Sequence, residues 1–382
     1  MSRQFFSFTT GDSLLPNGQC RLKWGKPRYT VKFMHRGLRR GHPATGFLRQ
    51  FPGALPQWNN CHFEFDVDCR EYDWLVVYHD LPRNDRFFTE EKLACPREKT
   101  LLITAEPSTI TVFGRDYLHQ FGFVLSFQEP WAMRHPRVIY HHPGLIWHYG
   151  LPFGDGTFTI WDDMAATPPM AKSRSISTVC STRNGKNTLH SARVAFTWQL
   201  KADLPELDIF GHGVRPMNDK AEALDPYRYH IAVENHLFPH HLTEKLPDAF
   251  LSYTLPFYHG APNTADYFPK ESFIPIDIND YRRSREIVTH HMANEEYRDR
   301  LPYIVEARRR VLEEQNLFAI IDRIISEQDP RIRTSLPRGT IRNRSTMRLK
   351  NPLAGLRSLV EKVTIKSYHR LTAHRRQRPL GL

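Results

Sequence analysis

The sequence has few cysteines, and those it has are scattered: Cys20, Cys61, Cys69, Cys95 and Cys180 form no C-x-x-C pair. An odd set without pairing excludes a disulfide framework and a zinc ribbon, and it fits a reducing compartment. Long apolar runs are also missing. Nowhere do about twenty consecutive apolar residues occur, the length a bilayer crossing needs, and the opening MSRQFFSFTT lacks the basic-then-apolar order of a signal peptide. The expectation is a soluble, cytoplasmic protein. A P-loop, an H-E-x-x-H pair and a G-x-S-x-G elbow are all absent, which argues against the corresponding ATPases, metalloproteases and serine hydrolases.

What is present is ample core material. The 382 residues are 40% hydrophobic and 12% aromatic, enough for two ordinary domains. The formal charge of +12 is unevenly spread. Between Arg331 and Arg378 fourteen Lys or Arg face one acid, Glu361, so this stretch carries +13 and the remainder is near neutral. A neutral body with a basic tail is not the footprint of a nucleic-acid-binding fold, and no nucleic-acid partner is expected.

Short apolar runs at Tyr29 to Phe33, Trp74 to Tyr78, Leu101 to Thr104 and Phe121 to Ser126 predict strands of a mainly parallel sheet in residues 1–150. A glycine- and proline-rich stretch follows, and 151–171 is predicted to be a linker beside a substrate crevice. From 172 to 330 a second α/β unit is expected. It comprises strands at SISTVCS, LDIF, YHIAVEN and TLPFYHG, helices over Leu189 to Leu200 and Thr243 to Ser252, and trailing helices between Tyr281 and Glu327. Residues 331–382 form a basic tail with one amphipathic segment, Leu353 to Leu371, whose apolar residues can share a face. That segment would dock on anionic lipid at the inner face of a membrane, or else stay solvated or pack on its own body.

The chemistry-bearing residues concentrate between Tyr227 and Asp277. A buried strand delivers Glu234 and Asn235 at its carboxyl end, and Thr243 is placed to cap a helix whose first turn holds Glu244 and Lys245. Free N–H groups at a helix start, with a lysine beside them, suit a diphosphate. Taken alone, a Glu-Lys pair is more often an ordinary surface helix. Upstream, Gly211 and Gly213 directly follow a strand, where lack of a Cβ lets a ligand approach, and Arg215 comes next. No third glycine completes a dinucleotide fingerprint.

These residues resemble glycosyltransferase family 10, the α-1,3/1,4-fucosyltransferases, over about Ser173 to Asp277. The resemblance is carried by V-E-N, T-E-K-L, P-x-x-x-G-A-P-N and F-P-x-x-S-F-I in order. It implies a GT-B architecture, two Rossmann-like domains facing across a cleft, with a C-terminal helical region and the basic tail added. It also implies an inverting fucosyltransferase moving L-fucose from GDP-fucose to a hydroxyl of a glycan such as lipopolysaccharide, with no cofactor and no essential metal. Carried over by position, Arg215 and Lys245 resemble the diphosphate-binding cations, and Glu244, Asn235 and His241 the contacts to ribose or sugar. His241 stands where bacterial members often have tyrosine, and Tyr253 where many have glycine. In the first domain, Glu106 of LLITAEPS resembles the glutamate proposed as general base; a glutamate ahead of Pro107 would serve equally as a turn residue. A transferase for another GDP-sugar, or a glycan- or membrane-surface-binding protein that keeps the fold, are the alternatives.

Two other signals point elsewhere. Asp66-Val67-Asp68 spells a D-x-D, the motif of metal-dependent glycosyltransferases, yet Phe63, Phe65 and Val67 alternate with acids as on a half-buried strand. The pairs His141-His142, His240-His241 and His290-His291 are adjacent rather than three or four apart, a poor metal-ligand spacing on a helix.

Overall fold

The computed structural model describes residues 24–41, 44–82, 89–154, 156–181, 189–332, 336 and 339–376. The readings made on the opening residues, Cys20 and Arg378 lie outside them. Two parallel sheets organise the chain. The first draws on β1 (Tyr29–His35), β2 (Gln57–Trp58), β3 (Cys61–Glu64), β4 (Trp74–Tyr78), β6 (Thr100–Ile103), β7 (Phe123–Ser126) and β8 (Val138–Tyr140), in the order β2-β3-β1-β4-β6-β7-β8. Only the β2–β3 pairing is antiparallel. The short β5 (Glu90–Lys92) stands apart, and α1 (Thr45–Leu48) and α2 (Arg115–Leu118) are single turns.

The linker holds α3 (Trp161–Ala166). Beyond it come β9 (Arg174–Val179), α4 (His190–Asp203), β10 (Leu207–Phe210), β11 (Tyr227–Val233), α5 (Lys245–Leu251), β12 (Leu255–His259) and β13 (Ile274–Pro275), giving an all-parallel second sheet ordered β10-β9-β11-β12-β13. The trailing helices are α6 (Tyr281–Ala293), α7 (Tyr297–Glu313) and α8 (Leu317–Gln328). The central strands WLVVY and LPFYH are buried at every position. Continuous apolar runs of this kind belong to parallel strands covered on both faces, and they explain why the strands could be read without alternation. The two parallel units with a cleft between them are the expected GT-B arrangement.

The third part of the chain returns to the first unit. On α8, the Phe318 ring packs 4.1 Å from Phe51 and 4.9 Å from Phe63, and Asp322 accepts from the Asn60 amide at 2.9 Å. β14 (Thr340–Arg342) pairs antiparallel with β5. Ile341, together with Met347 of α9 (Arg344–Lys350), joins the hydrophobic cluster beneath β4 and β6. α10 (Pro352–Arg376) then lies along the first unit. The alternative in which the tail packs on its own body is the one observed. Ala354, Ser358, Ile365 and His369 form the buried stripe of α10, whereas Leu353, Leu356, Leu359, Val360, Val363 and Leu371 are all more than half exposed. The apolar residues do share a face, but it points outward. Small and polar residues at the inner positions allow the helix axis to approach the body closely.

Asp66 and Asp68 fall beyond the end of β3, where Asp66 accepts the Asp68 amide at 2.9 Å and Asp68 pairs with Arg40 at 2.5 Å. The expected strand face is therefore a local turn. No cluster of three or more metal-ligating side chains occurs among the described residues. Among them, too, no helix is long and apolar enough to cross a membrane.

Candidate functional site between the two sheets

In parallel α/β units the loops at the carboxyl ends of the strands gather on one side, where a ligand can be held without disturbing the sheet. Both sheets present that side to the cleft. A cavity of about 420 Å³ opens there, lined by Tyr78, Glu106, Pro107, Ile110 and Phe127 from the first unit. The connecting segment supplies His148, and the second unit supplies Glu234, Asn235, His236, His241, Glu244 and Lys245. Five of the six residues singled out in the sequence thus share one cavity.

Its floor is an ionic cluster. Glu234, fully buried at the end of β11, accepts from the Thr243 amide at 3.0 Å, from the Thr243 hydroxyl at 2.6 Å and from Lys245 Nζ at 3.2 Å. Gly260 lets the carboxylate sit there, because a Cβ at that position would lie 2.8 Å from Glu234 Cγ. Lys245 Nζ is also 3.2 Å from Glu244 Oε1, and Lys220 Nζ lies 3.7 Å from the same oxygen. Burial works against the Lys245 charge, but Glu234 and Glu244 outweigh it and push the ammonium's pKa above its ordinary value. Burial likewise opposes ionisation of Glu244, yet Lys245, Lys220 and His148 hold its carboxyl well below the usual range. Both side chains are charged at neutral pH.

Thr243 does not cap the helix as expected. α5 begins at Lys245 with Glu244 as its N-cap residue and no side-chain cap, and the Thr243 hydroxyl goes to Glu234 instead. The helix has only seven residues, so fixed cations rather than a helix dipole dominate this end of the cavity.

Arg215 is not brought here. It is exposed, its guanidinium 4.4 Å over the Phe210 ring and beside Asp208, and it lines neither this cavity nor the adjoining one. Gly211 also has a different purpose from the one expected. With φ +134° and a would-be Cβ 2.7 Å from the Cys180 carbonyl, it accommodates the chain's own backbone. Arg193, absent from the sequence reading, takes the place next to Lys245. A second cavity of about 260 Å³ shares Asn235, Glu244 and Lys245 with the first and adds Arg193, Lys220 and Asp248. Arg193 reaches Asn235 Oδ1 at 3.2 Å and the Val233 carbonyl at 3.4 Å, while its buried Nε has no partner among the described residues. Asp248 binds Lys220 at 2.8 Å and accepts the amides of His148 and Tyr149, tying α5 to the segment just before the linker.

The opposite wall comes from the strand end after β6. Among the described residues no donor is bonded to the Glu106 carboxylate, and burial together with the nearby charge of Glu244 raises its pKa, against an opposing pull from Lys245. His241 is buried 4.9 Å from the Phe127 ring, across the junction of the two units. Its Nδ1 faces the His236 carbonyl at 3.1 Å, so Nδ1 carries the proton. Burial lowers its pKa, leaving a neutral ring. His236 is pushed down to about 3 by burial, His241 and Lys245, and its Nδ1 lies 3.3 Å from the Thr109 hydroxyl.

Residues 169–300 match the family model described as glycosyltransferase family 10 (fucosyltransferase), C-terminal. Over this segment the chain is similar to glycosyltransferase family 10. A 4-galactosyl-N-acetylglucosaminide 3-alpha-L-fucosyltransferase of Gorilla gorilla gorilla is 32% identical over 123 residues, 31% of this chain and 33% of the relative. An alpha-(1,3)-fucosyltransferase of Helicobacter pylori is 32% identical over 72 residues, 19% and 15% of the two chains. The chain thus spans about a third or less of the length of these curated relatives. A solved alpha1,3-fucosyltransferase with GDP-fucose is similar over 80% of this chain and 94% of its own, at 16% identity and a TM-score of 0.44. The matched segment contains Arg193, Lys220, Asn235, Glu244, Lys245 and Asp248, while Glu106 lies outside it. The signal for Arg193 was its place in the first turn of the helix that follows β9.

Proposed function

We propose that this chain is a family 10 enzyme, an inverting glycosyltransferase that moves L-fucose from GDP-fucose to a glycan hydroxyl, with lipopolysaccharide or a similar surface glycan as acceptor. The observation that carries the reading is the crevice itself: Glu106 on one wall, and Lys245, Lys220 and Arg193 in connected cavities on the other. Acceptor oxygen attacks the anomeric carbon from the first-unit side as Glu106 takes its proton. The bond from that carbon to the diphosphate oxygen breaks, and the released electron pair stays on GDP. Lys245 and Arg193 face the charge that develops there, the task a metal performs in other transferases, which supports a reaction without an essential cation. Glu244 and Asn235 stand where the ribose or sugar hydroxyls would be held, with the neutral His241 ring beside them. The names of the relatives support fucose as the transferred sugar.

Nucleotide binding tests this. GDP at about 100 times its dissociation constant is expected to stabilise the protein by roughly 2.7 kcal/mol in thermal unfolding, and UDP to do much less. Arg193→Ala should abolish the GDP effect, whereas Arg215→Ala should leave it intact. No stabilisation by GDP in the wild type would sink the reading, and the reverse pattern would restore Arg215.

The membrane-surface partner is proposed on the outward stripe of α10. Its apolar residues are flanked by Lys362 and Arg370, each basic group contributing about 1 kcal/mol near an anionic surface. The protein should co-sediment with vesicles containing phosphatidylglycerol at low salt and not with pure phosphatidylcholine. Leu356→Ser with Val360→Ser should weaken that binding, and equal sedimentation of this variant and the wild type would discard the idea. A cytoplasmic site of action, peripheral at the inner membrane face, belongs to the same proposal.

A further inference from the structure

We infer that α10 is a positioning strap for the loop that carries Glu106, with Lys366 and His369 as its working contacts. Residues 106–111 form a tight turn in which Ile110 and Thr111 both donate to the Pro107 carbonyl at 2.9 Å. From below, Gln128 Nε2 pins the two ends, donating to the Glu106 carbonyl at 2.6 Å and to the Thr111 carbonyl at 2.9 Å. The middle is held by α10. Lys366 Nζ donates to the Thr109 and Ile110 carbonyls, the latter at 3.0 Å. Ser108 gives its single hydroxyl proton to Glu129 at 2.6 Å and therefore accepts from His369 Nε2 at 2.7 Å.

The helix is itself clamped along its length. Glu361 accepts the Arg115 amide at 2.9 Å, Arg357 pairs with Asp116 at 2.8 Å, and Trp131 packs 4.5 Å from Tyr368 and 5.2 Å from His369. Neither Lys366 nor His369 lines the cavity, so they act on the reaction through the loop and not on the substrate. A carboxylate that no described donor holds takes its aim from its backbone, and here that backbone is braced by a helix 256 and 257 positions later in the chain.

The inference rests on Glu106 being the base, and the test separates the two claims. In the full chain, Lys366→Met is expected to lower the rate of GDP-fucose turnover, measured as GDP release to water, by about tenfold to a hundredfold. GDP affinity and melting temperature should stay near wild type, and Lys366→Arg should recover most of the rate. In a Glu106→Gln background the same substitution should cost nothing further, because both changes act on one group. Hydrogen exchange at the Ser108–Thr111 amides should quicken in Lys366→Met. Full turnover by Glu106→Gln alone overturns the base assignment. A low rate in Glu106→Gln with an undiminished second loss from Lys366→Met overturns the strap, as does unchanged exchange in the loop.

Discussion

Replacing Lys245 by alanine is expected to lower kcat/KM for GDP-fucose by about three orders of magnitude and to destabilise the fold as well. A unit charge about 4 Å from a phosphate oxygen at an effective dielectric of ~20 interacts by roughly 4 kcal/mol, or about a thousandfold in rate. Part of that field is already spent on Glu234 and Glu244, so a thousandfold is the upper end. The stability loss has a separate origin. Glu234 is fully buried, and without the ammonium its charge keeps the neutral hydroxyls of Thr243 and Tyr258 but loses its bonded cation, a situation that costs about 3–5 kcal/mol in comparable buried pairs. Combining Lys245→Met with Glu234→Gln should restore the melting temperature and leave activity low. Recovery of activity along with stability would show that Lys245 only holds the loop together.

The second large effect is at Glu106. Glu106→Gln should reduce turnover by about 10²–10⁴ while GDP affinity is retained. Because burial and Glu244 raise the pKa of this carboxyl, the acid limb of the wild-type rate should sit above the ordinary glutamate range, and the variant should lack it. The stability sign runs the other way from a salt-bridged acid. A raised pKa in the folded state means that the protonated form is favoured on folding, so the contribution is full below the unfolded pKa and fades as pH rises through the folded one. At neutral pH the glutamine variant should therefore be no less stable than wild type. A variant that loses activity and stability together would point to a turn residue ahead of Pro107. Glu244 has the opposite sign, its lowered pKa giving stability that is lost as pH falls.

The two largest predictions concern residues whose placement was legible for local reasons. Asn235, His241, Glu244 and Lys245 follow a single strand within a dozen residues, so any fold that forms β11 and α5 brings them to the same strand end. Glu106 was legible in the same way, as the first charged side chain beyond a buried strand. Arg193 and Lys220 were not, because their partners Asn235 and Asp248 lie 42 and 28 positions away, and a cation on a helix or in a loop has no local sign of what it will face. Arg215 misled for the complementary reason. A G-x-G after a strand looks the same whether it receives a ligand or, as Gly211 does, the neighbouring backbone.

The sequence by itself determined the two parallel sheets, since runs such as WLVVY and LPFYH are stable only when covered on both faces, and it determined the cluster that follows β11. Tertiary structure alone decided where the end of the chain would go. An amphipathic pattern says that a helix has two faces but not which one meets the body. In α10 the inner face is Ala354, Ser358, Ile365 and His369, chosen for close approach and hydrogen bonding, and the leucines are left outside. Cutting the chain after Asp329 would thus remove Ile341 and Met347 from the first unit's core along with the brace on Glu106, because burial depends on which surfaces meet and residues far apart in sequence supply them.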